Sequence, residues 1–161
     1  MAGRIISCQY LPGLIRDGIY YEGFDIGIRT NLDLSDFLQS LPPPLQELIQ
    51  DYMAKSVQVI ISTESYCCER SGCFVYWQNR KFEPNQLPPL LGFTVTSIRW
   101  GLSPPELFSA DPYFRDDEHF AVVELQSSGG PVRFVLFNHH NGYYSHTIGL
   151  IQDGVADMQT L

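Results

Sequence analysis

The sequence predicts an α+β fold in which an antiparallel sheet, ending in a three-strand meander, packs against two short helices separated by prolines. Apolar residues recur at helical spacing between residues 31 and 55, whereas residues 56–152 show short β-branched runs and alternation typical of strands. The 161-residue chain has no composition shift that marks a boundary, which favours one domain.

The first thirty residues are predicted as an irregular, glycine-rich start. Five glycines interrupt short apolar pieces, so that only Ile5-Ile6 and Ile26-Gly27-Ile28 are long enough for short edge strands. This start precedes the helical residues 31–55.

Two helices are predicted on either side of Pro42-Pro43-Pro44, since proline ends a helix but suits the first turn of the next one. Asp33 or Ser35 can cap the first helix. Its apolar residues at helical spacing are Leu34, Phe37, Leu38 and Leu41. Those of the second helix are Leu45, Leu48, Ile49, Tyr52 and Met53. This pattern predicts that both helices cover the sheet.

Strand patterns follow the helices. The predicted strands in the middle of the chain are Val57–Ser62, Cys73–Gln78 and Phe93–Trp100. Residues 79–91 contain three prolines and are predicted as a surface connection. An irregular acidic segment is predicted from Pro104 to His119.

The C-terminal meander is predicted from Phe120–Gln126, Val132–Phe137 and Tyr143–Ile151. Asn141-Gly142 predicts a hairpin turn between the last two strands, because both residue types tolerate positive φ. Period two then places His146 on the same face as the apolar Tyr144, Ile148 and Leu150. The tail at 153–161 is predicted to be frayed.

Composition narrows the class of partner. The net charge of −8 argues against nucleic acid, whose phosphates are bound by basic patches. Aromatic residues make up 13% of the chain, which suits sheets and protein contact surfaces. No apolar run is long enough to span a membrane and no signal peptide is visible, so an intracellular, reducing location is expected.

Thiols, imidazoles and a carboxylate near two predicted turns form the candidate site. The candidate zinc ligands are Cys68, Cys73, His140 and His146. The spacing matches no known zinc motif, so buried cysteines acting as small hydrophobes are the simpler interpretation and no cofactor is expected. A thiol nucleophile would instead pair Cys67 or Cys68 with His140 or His146.

Four short motifs carry a resemblance that spans roughly residues 57–152. They are Tyr66-Cys67-Cys68-Glu69, Leu90-Leu91-Gly92, the Phe120–Leu125 strand and Asn141-Gly142-Tyr143-Tyr144-Ser145. In these the chain resembles an uncharacterised small domain of phage, bacterial and large-virus proteins. The resemblance implies that the Cys-Cys-Glu element and the Asn-Gly-Tyr-Tyr hairpin lie together. The candidate site is then Cys67, Cys68, Glu69, His140, Asn141, Tyr143, Tyr144 and His146.

The leading functional hypothesis is a non-enzymatic protein-interaction module, such as a viral structural or accessory protein, with a protein partner or a second copy of itself. The alternative is a metal- or thiol-dependent hydrolase that uses Cys67, Cys68, Glu69, His140 and His146. A third hypothesis is a small-ligand pocket between the helices and the sheet.

Overall fold

Ten antiparallel strands in one sheet make up most of the part of the chain that the structure, a computed structural model, describes: residues 3–30, 35–63, 70–101, 118–139 and 146–161. The strands are β1 (Gly3–Arg16), β2 (Ile19–Thr30), β3 (Ala54–Ser62), β4 (Arg70–Trp77), β5 (Arg80–Phe82), β6 (Thr94–Gly101), β7 (Glu118–Ser127), β8 (Gly130–His139), β9 (Thr147–Gln152) and β10 (Val155–Thr160). The helices are α1 (Ser35–Gln39) and α2 (Pro43–Met53), and α2 begins within the proline run as predicted.

The predicted α+β class is wrong, because the fold is mainly β and only 9% helical. The start and the tail, predicted as irregular and frayed, form β1, β2 and β10. Asp17-Gly18 and Asp153-Gly154 connect these strands, with φ near +51° and +79° in the first pair and +52° and +80° in the second. Positive φ at both central residues is the geometry of a tight two-residue hairpin, so each Asp-Gly pair turns the chain back on itself.

The predicted three-strand meander is also wrong in its last strand. β7 and β8 pair as predicted, but β9 pairs with β3 and β10 and has no register with β8. Both edges of β8 are already occupied, one by β7 and the other by β4. The chain therefore leaves β8 and joins the other half of the sheet, and Asn141-Gly142 lies outside the described residues.

The sheet folds over so that its two halves face each other. The strand order is β10-β9-β3-β2-β1 in the first half and β6-β7-β8-β4-β5 in the second. Where β1 meets β6, the paired residues of the two halves are Gly3 with Val95 and Arg4 with Thr94. Between them lies the main core, in which the rings of Phe24 on β2 and Phe134 on β8 stand 5.2 Å apart. Each half thus buries the inner face of the other.

The helices do not cover this core as predicted. Phe37, Leu45 and Leu48 are exposed, and Leu48 keeps 64% of its surface accessible. The physical reason is that the opposite half of the sheet already covers the face that the helices were expected to bury. Neither described helix has the length and apolar content required to cross a membrane.

Candidate functional site

The three buried polar side chains in the described ranges belong to one hydrogen-bonded network at an end of the folded sheet. They are Ser62 at the end of β3, Asn138 near the end of β8 and His146 just before β9. Buried polar groups cost free energy unless they are hydrogen-bonded, so their concentration at one place indicates a specific local structure.

Ser62 orients the ring of His146. The Nδ1 atom of His146 lies 2.8 Å from the carbonyl oxygen of Ser62. A carbonyl can only accept, so Nδ1 carries the hydrogen and, in the neutral ring, Nε2 carries the lone pair. The Ser62 hydroxyl meanwhile accepts a hydrogen bond from the Thr147 amide at 3.0 Å. This arrangement, with one ring nitrogen fixed by a backbone carbonyl, is common for histidines that act as bases or metal ligands.

Leu161 connects the two halves of the sheet through this network. Its carbonyl accepts from the His146 amide at 3.1 Å and from Asn138 Nδ2 at 3.3 Å, and its own amide donates to the His146 carbonyl at 2.8 Å. Asn138 is completely buried, yet no described residue donates a hydrogen bond to its Oδ1. Turning the Asn138 amide round would not repair this, because Oδ1 can only accept and would then face the Leu161 carbonyl oxygen.

Of the eight candidate residues, the structure describes His146. It is buried, and Ile148 and Leu150 enter the core beyond it, as the period-two pattern predicted. The other seven lie outside the described residues: Cys67, Cys68, Glu69, His140, Asn141, Tyr143 and Tyr144. Their described chain neighbours are close in space, since Arg70 pairs with His139 across β4 and β8 and Ser62 contacts His146.

The two described thiols have the environment of small core residues. Burial first, and then the charges of Glu22 and Glu83, raise the pKa of Cys73 far above its ordinary value. Burial and the charge of Asp25 raise the pKa of Cys8 to about 12. Both thiols are therefore protonated at neutral pH, and no group of three or more candidate ligands among the described His, Cys, Asp and Glu residues is arranged to hold a metal ion.

Glu124, which is not among the eight candidate residues, lies at the centre of a cross-strand charge cluster on the outer face of the second half-sheet. Its carboxylate accepts hydrogen bonds from Arg99 at 2.6 Å, from Gln126 at 2.5 Å and from Arg133 at 2.8 Å. Burial raises the pKa of Glu124, but these hydrogen bonds and the arginine charges outweigh it, so the pKa lies below its ordinary value. The only sequence signal for this cluster is the register of β6, β7 and β8, which requires the pairing to be known.

The cavity that the structure shows on β1 does not match the predicted pocket between helices and sheet. It has a volume of about 370 Å³ and is lined by Leu11, Pro12, Gly13 and Leu14. These residues span an irregularity in the register between β1 and β2. A bulge in a strand explains the local opening without a ligand.

A second candidate site consists of the exposed apolar side chains of the two helices, Phe37 on α1 and Leu45 and Leu48 on α2, called the helical surface below. Sequence reasoning found these residues by their helical spacing but placed them in the core. In the structure all three side chains are exposed, with acidic Asp36 and Glu47 beside them in the chain, both also exposed. The two helices thus expose both apolar and acidic side chains.

No protein-family model, no curated protein and no solved structure matches this chain. The resemblance to the uncharacterised small domain therefore stays a prediction. Two features then bear on function: the buried network around His146 and the helical surface.

Proposed function

We propose that the protein is a non-enzymatic interaction module that binds a protein partner through the helical surface. The observation that carries this proposal is the exposure of Phe37, Leu45 and Leu48 on two consecutive helices. Covering apolar surface is favourable by roughly 25 cal/mol per Å², and clustered exposed apolar side chains are typical of contact sites. With the resemblance to phage, bacterial and large-virus proteins, this supports a viral structural or accessory role.

The position of the helices in the chain supports the same function. They lie within residues 35–53, between β2 and β3 in the chain. These two strands are neighbours in the sheet and pair antiparallel from Tyr21 with Ser62 to Arg29 with Ala54. Antiparallel neighbours need only a short turn between them. The sheet therefore does not require this insertion, and insertions on a rigid scaffold commonly carry binding residues.

The test compares two leucines of equal exposure. Leu48 on α2 is 64% exposed, and Leu91, which lies before β6, is 65% exposed. Leu48→Asp and Leu91→Asp should both leave the thermal midpoint nearly unchanged, since neither side chain is buried. Cross-linking and mass spectrometry in cells that produce the protein should then show a partner that is lost with Leu48→Asp and retained with Leu91→Asp. Identical cross-linked partners for the two variants would contradict the proposal.

The second candidate function is a metal- or thiol-dependent hydrolase using Cys67, Cys68, Glu69, His140 and His146. The hydrogen bond between the His146 ring and the Ser62 carbonyl favours it, because metal-binding histidines are commonly oriented by a backbone carbonyl in this way. The proximity of the residues next to the two predicted site segments also supports it: Arg70, which follows Glu69, pairs with His139, which precedes His140. Stoichiometric zinc in protein purified without chelators, with a loss of stability on chelation, is expected for the metal form. If the purified protein contains no metal and chelators do not change its stability, the metal-dependent hydrolase is ruled out.

The thiol form of the same hydrolase has a different test. At neutral pH one cysteine among Cys67 and Cys68 should alkylate much faster than the remaining three, because only a thiolate reacts. Equal rates at all four cysteines would exclude it.

A further inference from the structure

The helical segment has acidic charges and no basic ones. Between residues 31 and 54 the sequence contains no Lys or Arg, and its acidic residues are Asp33, Asp36, Glu47 and Asp51. The structure shows Asp36 next to Phe37 on α1 and Glu47 between Leu45 and Leu48 on α2, all of them exposed. The charged side chains that the structure describes on these two helices are therefore all negative.

The basic residues that flank this segment in the sequence are Arg29 and Lys55. Lys55, which follows α2, forms an ion pair with Asp153 at 3.0 Å. Arg29 is exposed opposite Ala54, at the C-terminal end of α2, where a cation is favourable for the helix dipole. Leu45 and Leu48 lie in the first half of α2, away from that end.

These observations restrict what can cover the helical surface. A second copy of this chain would bring together helices that carry the same negative charges, and like charges across an interface oppose binding. Anionic surfaces meet the same repulsion. A cationic partner gains from both the charges and the apolar contact, and Leu45 and Leu48, three residues apart, form a ridge on one helix face that another amphipathic helix can pack against.

We infer that the helical surface binds a basic amphipathic helix of a partner protein, an inference that rests on the proposed function and names its class of partner. Leu45, Leu48 and Phe37 contact the apolar face of that helix. Asp36 and Glu47 face the Lys or Arg residues along its edges. The binding is therefore both hydrophobic and dependent on ionic strength.

The experiment measures fluorescence anisotropy of two labelled synthetic helices with the full-length protein. The peptides share one length and one set of Leu positions, and carry either Lys or Glu at every remaining position. The Lys peptide should bind and the Glu peptide should not. Affinity for the Lys peptide should fall by about tenfold or more when salt is raised from about 50 to about 300 mM.

Two matched pairs of variants separate this surface from general attraction to an acidic protein. Glu47→Lys and Glu83→Lys change the net charge equally, and both glutamates are exposed. Leu48→Asp and Leu91→Asp form the apolar pair. Glu47→Lys and Leu48→Asp should each weaken binding of the Lys peptide by about tenfold, a loss of about 1.4 kcal/mol, whereas both controls retain it.

Equal affinities within each pair, or no binding of the Lys peptide, would overturn the inference. If cross-linking still shows a partner that depends on Leu48, the proposed function stands and only the basic helix is excluded. A dimer in sedimentation equilibrium that Leu48→Asp dissociates would identify a second copy as the occupant and also exclude the basic helix. Vesicle binding that depends on Leu48, without a cross-linked protein, would overturn both the inference and the proposed function.

Discussion

Ser62 and His146 stand 84 residues apart in the chain but contact each other through both backbone and side chain at the junction of β3 and β9. The Ser62 carbonyl fixes the ring of His146, and the Ser62 hydroxyl accepts from the next amide of the chain. The carbonyl of Leu161 then connects His146 to Asn138 on β8, in the opposite half-sheet. One polar network therefore joins the two halves at this end.

Ser62→Ala should destabilise the protein more than a matched change on the same strand. The variant leaves the partly buried Thr147 amide without its acceptor, which costs about 1 kcal/mol or more in the free energy of unfolding. Ser56→Ala, also on β3, removes an exposed hydrogen bond to Asp25. It should change the free energy of unfolding by less than about 0.5 kcal/mol. Urea denaturation measures both. Equal losses in the free energy of unfolding for the two variants would contradict a larger contribution from the hydrogen bond between Thr147 and Ser62.

Asn138→Asp should lower the free energy of unfolding, and this loss should increase as the pH rises. Burial raises the pKa of a carboxyl group above the value of about 3.9 that it has in the unfolded chain. The charge penalty is therefore absent below that value and increases as pH rises toward the folded pKa. Asn138→Leu removes the unpaired Oδ1 and should cost less than Asn138→Asp at neutral pH, without this pH dependence.

Denaturation of both Asn138 variants between about pH 4 and about pH 8 makes this comparison. A larger loss for Asn138→Leu than for Asn138→Asp at neutral pH would show that Oδ1 accepts an essential hydrogen bond in solution.

Glu124→Gln should remove part of the acid sensitivity of the protein. Because the folded pKa of Glu124 lies below its ordinary value, its stabilisation is complete above the ordinary value of about 4.3 and is lost as pH falls through the folded pKa. The difference in unfolding free energy between wild type and Glu124→Gln should therefore shrink on acidification. A difference that stays constant or grows would contradict this.

The two arginines that contact Glu124 should contribute unequally. Arg99 has 69% of its side chain exposed, whereas that of Arg133 is mostly buried. Arg99→Ala should cost no more than about 1 kcal/mol, as for other exposed ion pairs. Arg133→Ala should cost about 1.5–3 kcal/mol, because it removes a buried hydrogen bond to a charged group. Thermal or urea denaturation checks the order, and the reverse order would refute it.

Cys8 and Cys73 should resist alkylation in the folded protein. With a pKa near 12 for Cys8 and a strongly raised one for Cys73, the thiolate fraction at neutral pH is about three orders of magnitude below that of a free cysteine. Mass spectrometry after a short iodoacetamide treatment should find both unmodified, and urea should make both reactive. Rapid labelling of either one in the native state would show that its segment opens.

Local chemistry could predict a good part of the fold. The proline run separates α1 from α2, and the patterns of the middle strands and of β7 and β8 are confirmed. The strands at the two chain ends carried a local signal that sequence reasoning did not use, since Asp17-Gly18 and Asp153-Gly154 are hairpin dipeptides of the same kind as Asn141-Gly142. Interpreting Asp17-Gly18 and Asp153-Gly154 as hairpin turns, like Asn141-Gly142, would have predicted the first and last hairpins.

The candidate site was predictable only in part. Period two places His146 on the same face as Ile148 and Leu150, and in the structure all three side chains are buried. Nothing in the local sequence indicates that Ser62, Asn138 and Leu161 surround it, because they come from β3, β8 and the end of the chain. The exposure of Leu45 and Leu48 was equally hidden, since a helical apolar stripe has the same spacing whether it faces a core or a partner.

The sequence by itself determined the local elements: where proline stops a helix, where Asp-Gly turns the chain, and which residues share one face of a strand. Only the tertiary structure decided that β9 pairs with β3 instead of β8, that the two half-sheets cover each other, and that the helices are left with an open apolar face. The physical reason is the sequence separation over which the interactions act. Turns and periodicity depend on neighbours in the chain, whereas strand register and burial depend on which distant surfaces are available to pair.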